Sequence, residues 1–276
     1  MPATPANIAV ILAEAGLLLA GLVLLWRYVL SAKGRSAGRH KAIETWNISV
    51  SDFLLFTFLI IAGGLVAGFF GGLIFRRWDL SDDTRMILGS AAFQLGLLIG
   101  PALLPLNVTD PSQRSRGASA LSSGLATFLI ALPIVTVVNL AWLQFLQFSG
   151  LPTEEQDLLR MFSQADEPSI LALMVILAIL IAPITEELLF RATLFRYLRT
   201  RIPRWMALLL PGTIFAALHV NWLTLEGLPS FVPLISLAVI FSIAYERTGK
   251  IGTAMVAHGL FNLHTILLVF SGATST

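Results

Sequence analysis

The chain has 276 residues, of which 56% are hydrophobic and 12% charged, with a formal net charge of +2 and a mean hydropathy of +0.82. Soluble domains carry about 25% charged residues, so this composition excludes a soluble enzyme, a nucleic-acid-binding protein and a disordered chain. It predicts an all-α, polytopic transmembrane helical bundle. The sequence has no cysteine, which excludes disulfides, Cys-ligated metals and a Cys nucleophile.

Eight apolar segments approach the length of about 20 residues that a membrane-spanning helix needs. They are 8–30, 52–75, 86–106, 118–146, 170–190, 205–221, 230–246 and 251–270. With the N-terminus outside, the inner loops hold twelve Lys and Arg residues and the outer loops four. The positive-inside rule then predicts an N-out, C-out protein, and we expect a prokaryotic plasma membrane. The first segment carries Glu14, which leaves an alternative open. In this alternative the segment lies in the membrane interface and the N-terminus is inside.

The polar residues divide the chain into two regions. Residues 1–165 hold about four predicted spans and an outer loop, and few polar residues lie within those spans. Residues 166–276 hold the unusual intramembrane polar residues. We therefore expect the chemistry of the protein in the second region, because ionisable side chains at membrane depth mark functional sites.

Two adjacent carboxylates, Glu186 and Glu187, lie about 16 residues into the fifth span, roughly 24 Å along a helix. Glu187 and Arg191 are four residues apart and are predicted to pair on one helix face. Glu186 points about 100° away and has no cation at that spacing, which leaves it available as a general base. The alternative interpretation is a charged cluster that reaches from a helix end toward the headgroups.

Two further polar patterns follow on later spans. His219 ends the run from Phe215 to His219, and it fits either a catalytic or an interfacial histidine. His258 and Asn262 are four residues apart, so they share a helix face where they can donate hydrogen bonds, bind a metal or join helices. His264 is expected to face elsewhere. The remaining intramembrane polar residues are interpreted as interfacial groups or interhelical hydrogen bonds: Glu14, Gln94 and Asn139.

The three patterns together are Glu-Glu-x-x-x-Arg, Phe-x-x-x-His and His-x-x-x-Asn, in this order on three apolar segments. This set resembles the CPBP family of intramembrane proteases, also called the CAAX-protease and bacteriocin-processing, or Abi, family. The type II CAAX prenyl endopeptidases are its eukaryotic relatives. The resemblance covers about residues 166–270.

The resemblance implies a role for each motif residue. Glu186 is implied as the base that activates water, and His219 as its partner in holding that water. His258 and Asn262 are implied as the groups that stabilise the oxyanion. A structural pair completes the first motif: Glu187 and Arg191.

The resemblance implies an intramembrane endopeptidase, because amide hydrolysis without a covalent nucleophile needs an activated water and an oxyanion site. The expected partners are membrane lipid and a lipidated peptide, a leader peptide or a membrane-protein segment, and no oligomeric state is implied. The family has been described both as metalloproteases and as glutamate-dependent peptidases. A Zn²⁺ ion would take Glu186, His219 and His258 as ligands. We expect metal-free chemistry, since Glu186 with His219 suffices to activate water.

Two other classes of function stay open at this point. The same fold could serve as a non-proteolytic scaffold or immunity protein, in which the motifs only hold the bundle together. Intramembrane carboxylates and histidines also build proton relays in transporters, although the sequence shows no inverted repeat.

The two histidines of the proposed site are predicted to lie at different depths along their helices. His219 lies 14 residues from Trp205, or about 21 Å along a helix, whereas His258 lies seven residues from Ile251, or about 10 Å. We therefore expect segment 205–221 to be offset or to bend near Pro211.

Overall fold

The structure is a computed structural model that describes residues 5–37, 43, 46–103, 119–153 and 167–271. Over these ranges the chain forms helices and no β-strand, which confirms the predicted all-α bundle. Several of the charged loop residues counted for the predicted orientation lie outside the described residues: Arg39, Lys41, Arg114, Arg116 and Arg160.

The helices follow the predicted spans closely. In chain order they are α1 (Pro5–Leu25, continued by a π-helical turn, Trp26–Leu30), α2 (Ala32–Ala37), α3 (Val50–Phe75), α4 (Asp82–Gly96), α5 (Ile99–Leu103), α6 (Ala120–Phe148), α7 (Pro168–Arg199), α8 (Arg204–Ala217), α9 (Leu228–Thr248) and α10 (Ile251–Phe270). Helices α3, α4 and α6 begin at serine caps whose hydroxyls accept a backbone N–H: Ser49, Ser81 and Ser119.

Within the described part of the chain, seven helical segments are long and apolar enough to cross a membrane, and the protein is an integral membrane protein. The predicted span 205–221 is shorter than expected, because α8 ends at Ala217 after 14 residues. The chain then turns before α9, with Leu225 (φ 62°) and Gly227 (φ 79°) in the left-handed region. Such a turn cannot continue an α-helix.

Helix α6 packs against α1, α9 and α10 and so forms the centre of the bundle. Its Gly124 permits close approach to α10, since an added Cβ would lie 2.5 Å from the Cβ of Val256. A buried cluster fills the interface between α6 and its neighbours, and it includes Phe128, Leu132, Leu237 and Phe241. The N-terminal region therefore packs directly on the helices that carry the motifs.

Helix α4 is joined to α7 by a side-chain hydrogen bond. Thr185 Oγ1 donates to Gln94 Oε1, and the same hydroxyl lies 3.0 Å from the Ala182 carbonyl oxygen. Gln94 thus has the helix-joining role that the sequence indicated, and it holds α4 against the turn before Glu186.

An acidic side chain ties three helix ends together on the arginine-rich side of the bundle. Glu246, 4% exposed near the end of α9, accepts from Arg199 Nε at 2.5 Å and from Arg204 Nε at 2.8 Å. These arginines end α7 and begin α8, so one buried carboxylate fixes the relative positions of α7, α8 and α9 at this end.

Helix α7 is 32 residues long and departs twice from α-helical geometry. π-Helical segments at Leu177–Ile181 and Leu188–Phe195 enclose the short α-helical stretch Ala182–Glu187, which carries both glutamates. π-Helical turns are rare and frequently occur at functional sites. The hydrophobic periodicity of the sequence gave no indication of them.

Candidate active site

A cavity of about 430 Å³ lies between α6, α7, α9 and α10 and the end of α8. Apolar side chains form most of its wall, including Leu132, Leu234 and Phe261. Residues from all three sequence motifs line this one cavity, namely Glu186, His219, His258 and Asn262. The helices therefore bring together the four residues that the sequence selected.

The two adjacent glutamates have different surroundings, as their helical spacing predicts. The Glu186 side chain lines the cavity and is 18% exposed. The Glu187 side chain is fully buried, and its Oε1 lies 3.0 Å from Arg191 Nη1. Glu186 is thus open to a substrate or a water molecule, whereas Glu187 belongs to the packed interior.

His258 lies between the two carboxylates. Its Nδ1 is 2.9 Å from Glu187 Oε1, and its Nε2 is 3.7 Å from Glu186 Oε2. A hydrogen bond from Nδ1–H to a buried carboxylate fixes the orientation of the ring and directs Nε2 to the other side. Glu187 therefore does more than pair with Arg191, because it also holds His258 in place.

The guanidinium of Arg191 is 1% exposed and lies beneath aromatic rings. Its Cζ is 5.0 Å from the Phe215 ring centre and 5.6 Å from that of Phe241. Cation–π contacts of this kind partly compensate a buried charge. Within the described residues, Nη1 and Nη2 have no hydrogen-bond partner, so the Glu187 carboxylate and the two rings provide the stabilisation of this cation.

His219 lies in the turn just after α8, and its ring folds back on the helix. Nδ1 is 2.8 Å from the Phe215 carbonyl oxygen. Because a carbonyl can only accept, Nδ1 donates this hydrogen bond, and in the neutral ring Nε2 then keeps its lone pair. The Phe215 ring lies 4.6 Å from the His219 ring and 6.1 Å from the His258 ring. His219 and His258 both line the cavity, so the two histidines meet at one site.

Asn262 is held by the first π-helical segment of α7. Its Nδ2 donates to the Ala178 carbonyl oxygen at 2.7 Å, which leaves the second N–H of the amide for another acceptor. One turn earlier on α10, Gly259 has no side chain where the helix meets α7, and an added Cβ would collide with the Ile179 carbonyl oxygen. The close contact of α7 with α10 therefore sets the position of the Asn262 amide.

The expectation that His264 faces elsewhere is wrong. His264 lines the same cavity, and its Nε2 lies 2.9 Å and 3.0 Å from the two carboxylate oxygens of Glu14. Phe261, Thr265 and Leu268 also line the cavity at helical spacings of three and four residues from one another. A second stripe of α10 thus faces the cavity, and the Glu14–His264 pair joins this stripe to α1.

Sequence reasoning assigned no role to two aromatic residues that shape the site. Phe215 contacts both histidine rings, and Phe241 stacks on His258 with ring centres 5.4 Å apart. Phe215 already stood in the Phe-x-x-x-His pattern, which was a signal for its position. Phe241 lies outside every pattern that the sequence analysis singled out.

The possible zinc ligands Glu186, His219 and His258 do not form a coordination shell in this geometry. In the described part of the chain, no three His, Asp or Glu side chains are close enough to hold a metal ion. Nδ1 of each histidine is engaged with a carbonyl or with Glu187, so only Nε2 of each ring is left as a nitrogen that could bind a metal. Tetrahedral zinc sites need three protein ligands at about 2.0–2.2 Å from the metal, and this arrangement does not supply them.

The part of the chain that carries the site is similar to known proteins. Residues 168–264 match the family described as type II CAAX prenyl endopeptidase Rce1-like. The UPF0177 protein YbdI of Lactococcus lactis is 30% identical over 94 residues, or 33% of this chain and 46% of that protein. The chain thus matches just under half the length of this curated relative, and no solved structure matches significantly. The match lies within α7 to α10, the region that carries the three motifs, and it confirms the resemblance to CPBP proteins.

Proposed function

We propose that the protein is an intramembrane endopeptidase that hydrolyses a peptide bond with water activated by Glu186. The observation that carries the proposal is that Glu186, His219, His258 and Asn262 line one cavity between membrane-spanning helices. The family match of α7–α10 supports the same reaction class.

The reaction begins with a water molecule held between the Glu186 carboxylate and the free Nε2 of His219. Glu186 accepts a proton from the water, and the resulting hydroxide attacks the carbonyl carbon of the scissile bond. Nε2–H of His258 and the second N–H of Asn262 donate to the oxygen as it becomes negative. Glu186 then gives its proton to the leaving nitrogen as the C–N bond breaks.

Charge balance supports the role of His258 as a donor. Glu186 and Glu187 contribute two negative charges, and Arg191 contributes one positive charge. When His258 carries protons on both nitrogens, this buried cluster is neutral, which a low-dielectric site favours. The doubly protonated ring then has one N–H toward Glu187 and one toward the cavity, as the two distances of 2.9 Å and 3.7 Å allow.

The position and lining of the cavity suggest the class of substrate. Membrane-spanning helices surround it and much of its wall is apolar. We propose that the substrate enters from the lipid as a lipidated peptide or as a membrane-protein segment. The N-out, C-out orientation in a prokaryotic plasma membrane and the metal-free mechanism belong to this proposal.

The test compares the wild-type protein with Glu186→Gln in proteoliposomes. Two internally quenched probes represent the substrate classes: a farnesylated peptide with a free C-terminus, and a 20-residue Leu/Ala segment flanked by lysines. We expect wild-type protein to cleave at least one probe in the presence of a zinc chelator. Glu186→Gln should lower the rate by about 10²–10⁴, the usual contribution of a general base.

The control is Glu226→Gln, because Glu226 is an exposed carboxylate in the turn between α8 and α9 and lies outside the cavity lining. This variant should cleave at the wild-type rate. Equal cleavage by Glu186→Gln and wild type would refute the proposed base. If wild-type protein cleaves neither probe, a scaffold function replaces the enzyme as the better hypothesis.

A further inference from the structure

The wall of the cavity that α6 provides comes from outside the family-matched region. Four residues of α6 line the cavity, whereas the match begins only at residue 168. They are Leu132, Val135, Thr136 and Asn139. The groups proposed for the chemistry thus come from the matched helices, and part of the surface that a substrate would touch comes from a separate region of the chain.

The side-chain amide of Asn139 differs from the two threonine hydroxyls of the cavity wall in its hydrogen bonding. Thr136, one turn earlier on α6, donates to the Leu132 carbonyl oxygen at 2.9 Å, and Thr265 donates to Phe261 in the same way at 3.1 Å. Among the described residues, the partly buried Asn139 side chain has no hydrogen-bond partner, and neither does that of Ser230 on α9. Two unpaired polar side chains therefore face a largely apolar cavity.

The backbone geometry places these two side chains near the same end of the cavity. Trp142 Nε1 donates to the Leu228 carbonyl oxygen at 2.9 Å and so fixes α6 beside the start of α9. Asn139 precedes Trp142 by about one turn, and Ser230 follows Leu228 by two residues. The Asn139 amide and the Ser230 hydroxyl therefore both lie close to the hydrogen bond that joins α6 to α9.

Asn139 is half-buried, and a bound substrate that covered its amide without a hydrogen bond would be disfavoured in this apolar setting. A side-chain amide offers two N–H donors and one carbonyl acceptor. A peptide backbone in extended form offers the complementary C=O and N–H groups. We propose that Asn139 is a positioning residue that hydrogen-bonds the backbone of the bound substrate, with Ser230 beside it, and so sets which bond reaches Glu186.

This inference deepens the proposed peptidase function and rests on it for the identity of the ligand. It also differs from the helix-joining role that the sequence suggested for Asn139. A residue that joins helices would stabilise the empty protein. An amide without a partner in the empty protein should contribute little to stability and should act only when a peptide is bound.

The test measures binding on the Glu186→Gln protein in nanodiscs, so that it does not depend on cleavage. The ligands are the farnesylated peptide and the Leu/Ala segment described above, together with copies in which one backbone nitrogen at a time is methylated. Asn139→Leu keeps the approximate size of the side chain and removes its hydrogen bonds. Thr127→Val is the matched control, because the Thr127 hydroxyl donates within α6 to the Ser123 carbonyl oxygen at 2.8 Å and Thr127 lies outside the cavity lining.

We expect Asn139→Leu to weaken binding of the preferred peptide by roughly two- to tenfold, the range of one net hydrogen bond. Thr127→Val should leave the affinity unchanged. Methylation at one backbone nitrogen should weaken binding to the parent protein but have no further effect in Asn139→Leu, which identifies the atom that Asn139 contacts. The thermal midpoint of empty Asn139→Leu should equal or exceed that of the parent protein.

Three results would overturn the inference: equal affinity of parent and Asn139→Leu, no binding of either peptide, or a large loss of stability in the empty variant. Binding that depends on Asn139 without cleavage by wild-type protein would keep the inference and remove the peptidase proposal. Where cleavage is seen, Asn139→Leu should raise KM more than it lowers kcat, since the contact is made to the bound substrate in general.

Discussion

Removal of Arg191 tests whether charge balance holds the buried cluster together. The Arg191 side chain is 1% exposed and that of Glu187 is fully buried, with 3.0 Å between Nη1 and Oε1. Arg191→Ala leaves the Glu187 carboxylate in the interior without its guanidinium partner. Breaking a buried ion pair in this way costs about 3–5 kcal/mol. The variant also loses the cation–π contacts with Phe215 and Phe241.

The measurement is thermal unfolding of the purified full-length protein in detergent, followed by intrinsic tryptophan fluorescence. At roughly 2–4 °C per kcal/mol for a large domain, Arg191→Ala should lower the midpoint by roughly 6–20 °C. The double variant Glu187→Leu/Arg191→Met removes both charges and keeps apolar volume. It should recover most of the loss, because well-packed apolar residues often replace a buried ion pair without cost.

Activity should separate from stability in this pair of variants. The double variant lacks the carboxylate that accepts from His258 Nδ1, so it should fold but cleave poorly. A midpoint for Arg191→Ala within about 2 °C of wild type, a change of under 1 kcal/mol, would show that Arg191 is not needed to balance Glu187. It would also remove the charge argument for a doubly protonated His258.

Two substitutions test the contacts that position α10. Gly259→Ala places a Cβ against the Ile179 carbonyl oxygen and should lower both the thermal midpoint and the cleavage rate. The control Gly72→Ala has open space around its Cβ and should match or exceed the stability of wild type. Equal behaviour of the two variants would contradict the packing argument. Glu14→Leu should lower the thermal midpoint by leaving His264 without its partner, and His264→Leu in the same chain should restore it if the Glu14–His264 pair only joins α1 to α10.

Helical spacing correctly predicted that the two glutamates have different surroundings. Four residues of separation put Glu187 and Arg191 on one face, and the 100° step between neighbours turned Glu186 away. These relations are local, so they survive even in a helix with π-helical segments on both sides. The spans were predicted for a similar reason, because length and hydropathy are properties of single segments.

The partners of α10 could not be predicted, because they depend on which helices meet. Nothing within α10 shows that His258 reaches Glu187 on α7 or that His264 reaches Glu14 on α1. The short length of α8 was missed because Leu218 and Val220 keep the apolar pattern beyond the end of the helix. Left-handed backbone at Leu225, a residue that rarely adopts it, gives no sequence signal at all.

The first π-helical segment of α7 links the fold to the chemistry. A π-helical turn replaces the i→i+4 hydrogen-bond pattern with i→i+5 bonds and so changes the direction of its carbonyl groups relative to a regular α-helix. The Ala178 carbonyl accepts from Asn262, and the Ile179 carbonyl lies against Gly259. One N–H of Asn262 therefore supports the distorted turn while the other remains for the proposed oxyanion. Asn262→Ala should consequently shift α7 as well as remove a donor, and its effect on cleavage should exceed that of the loss of one hydrogen bond.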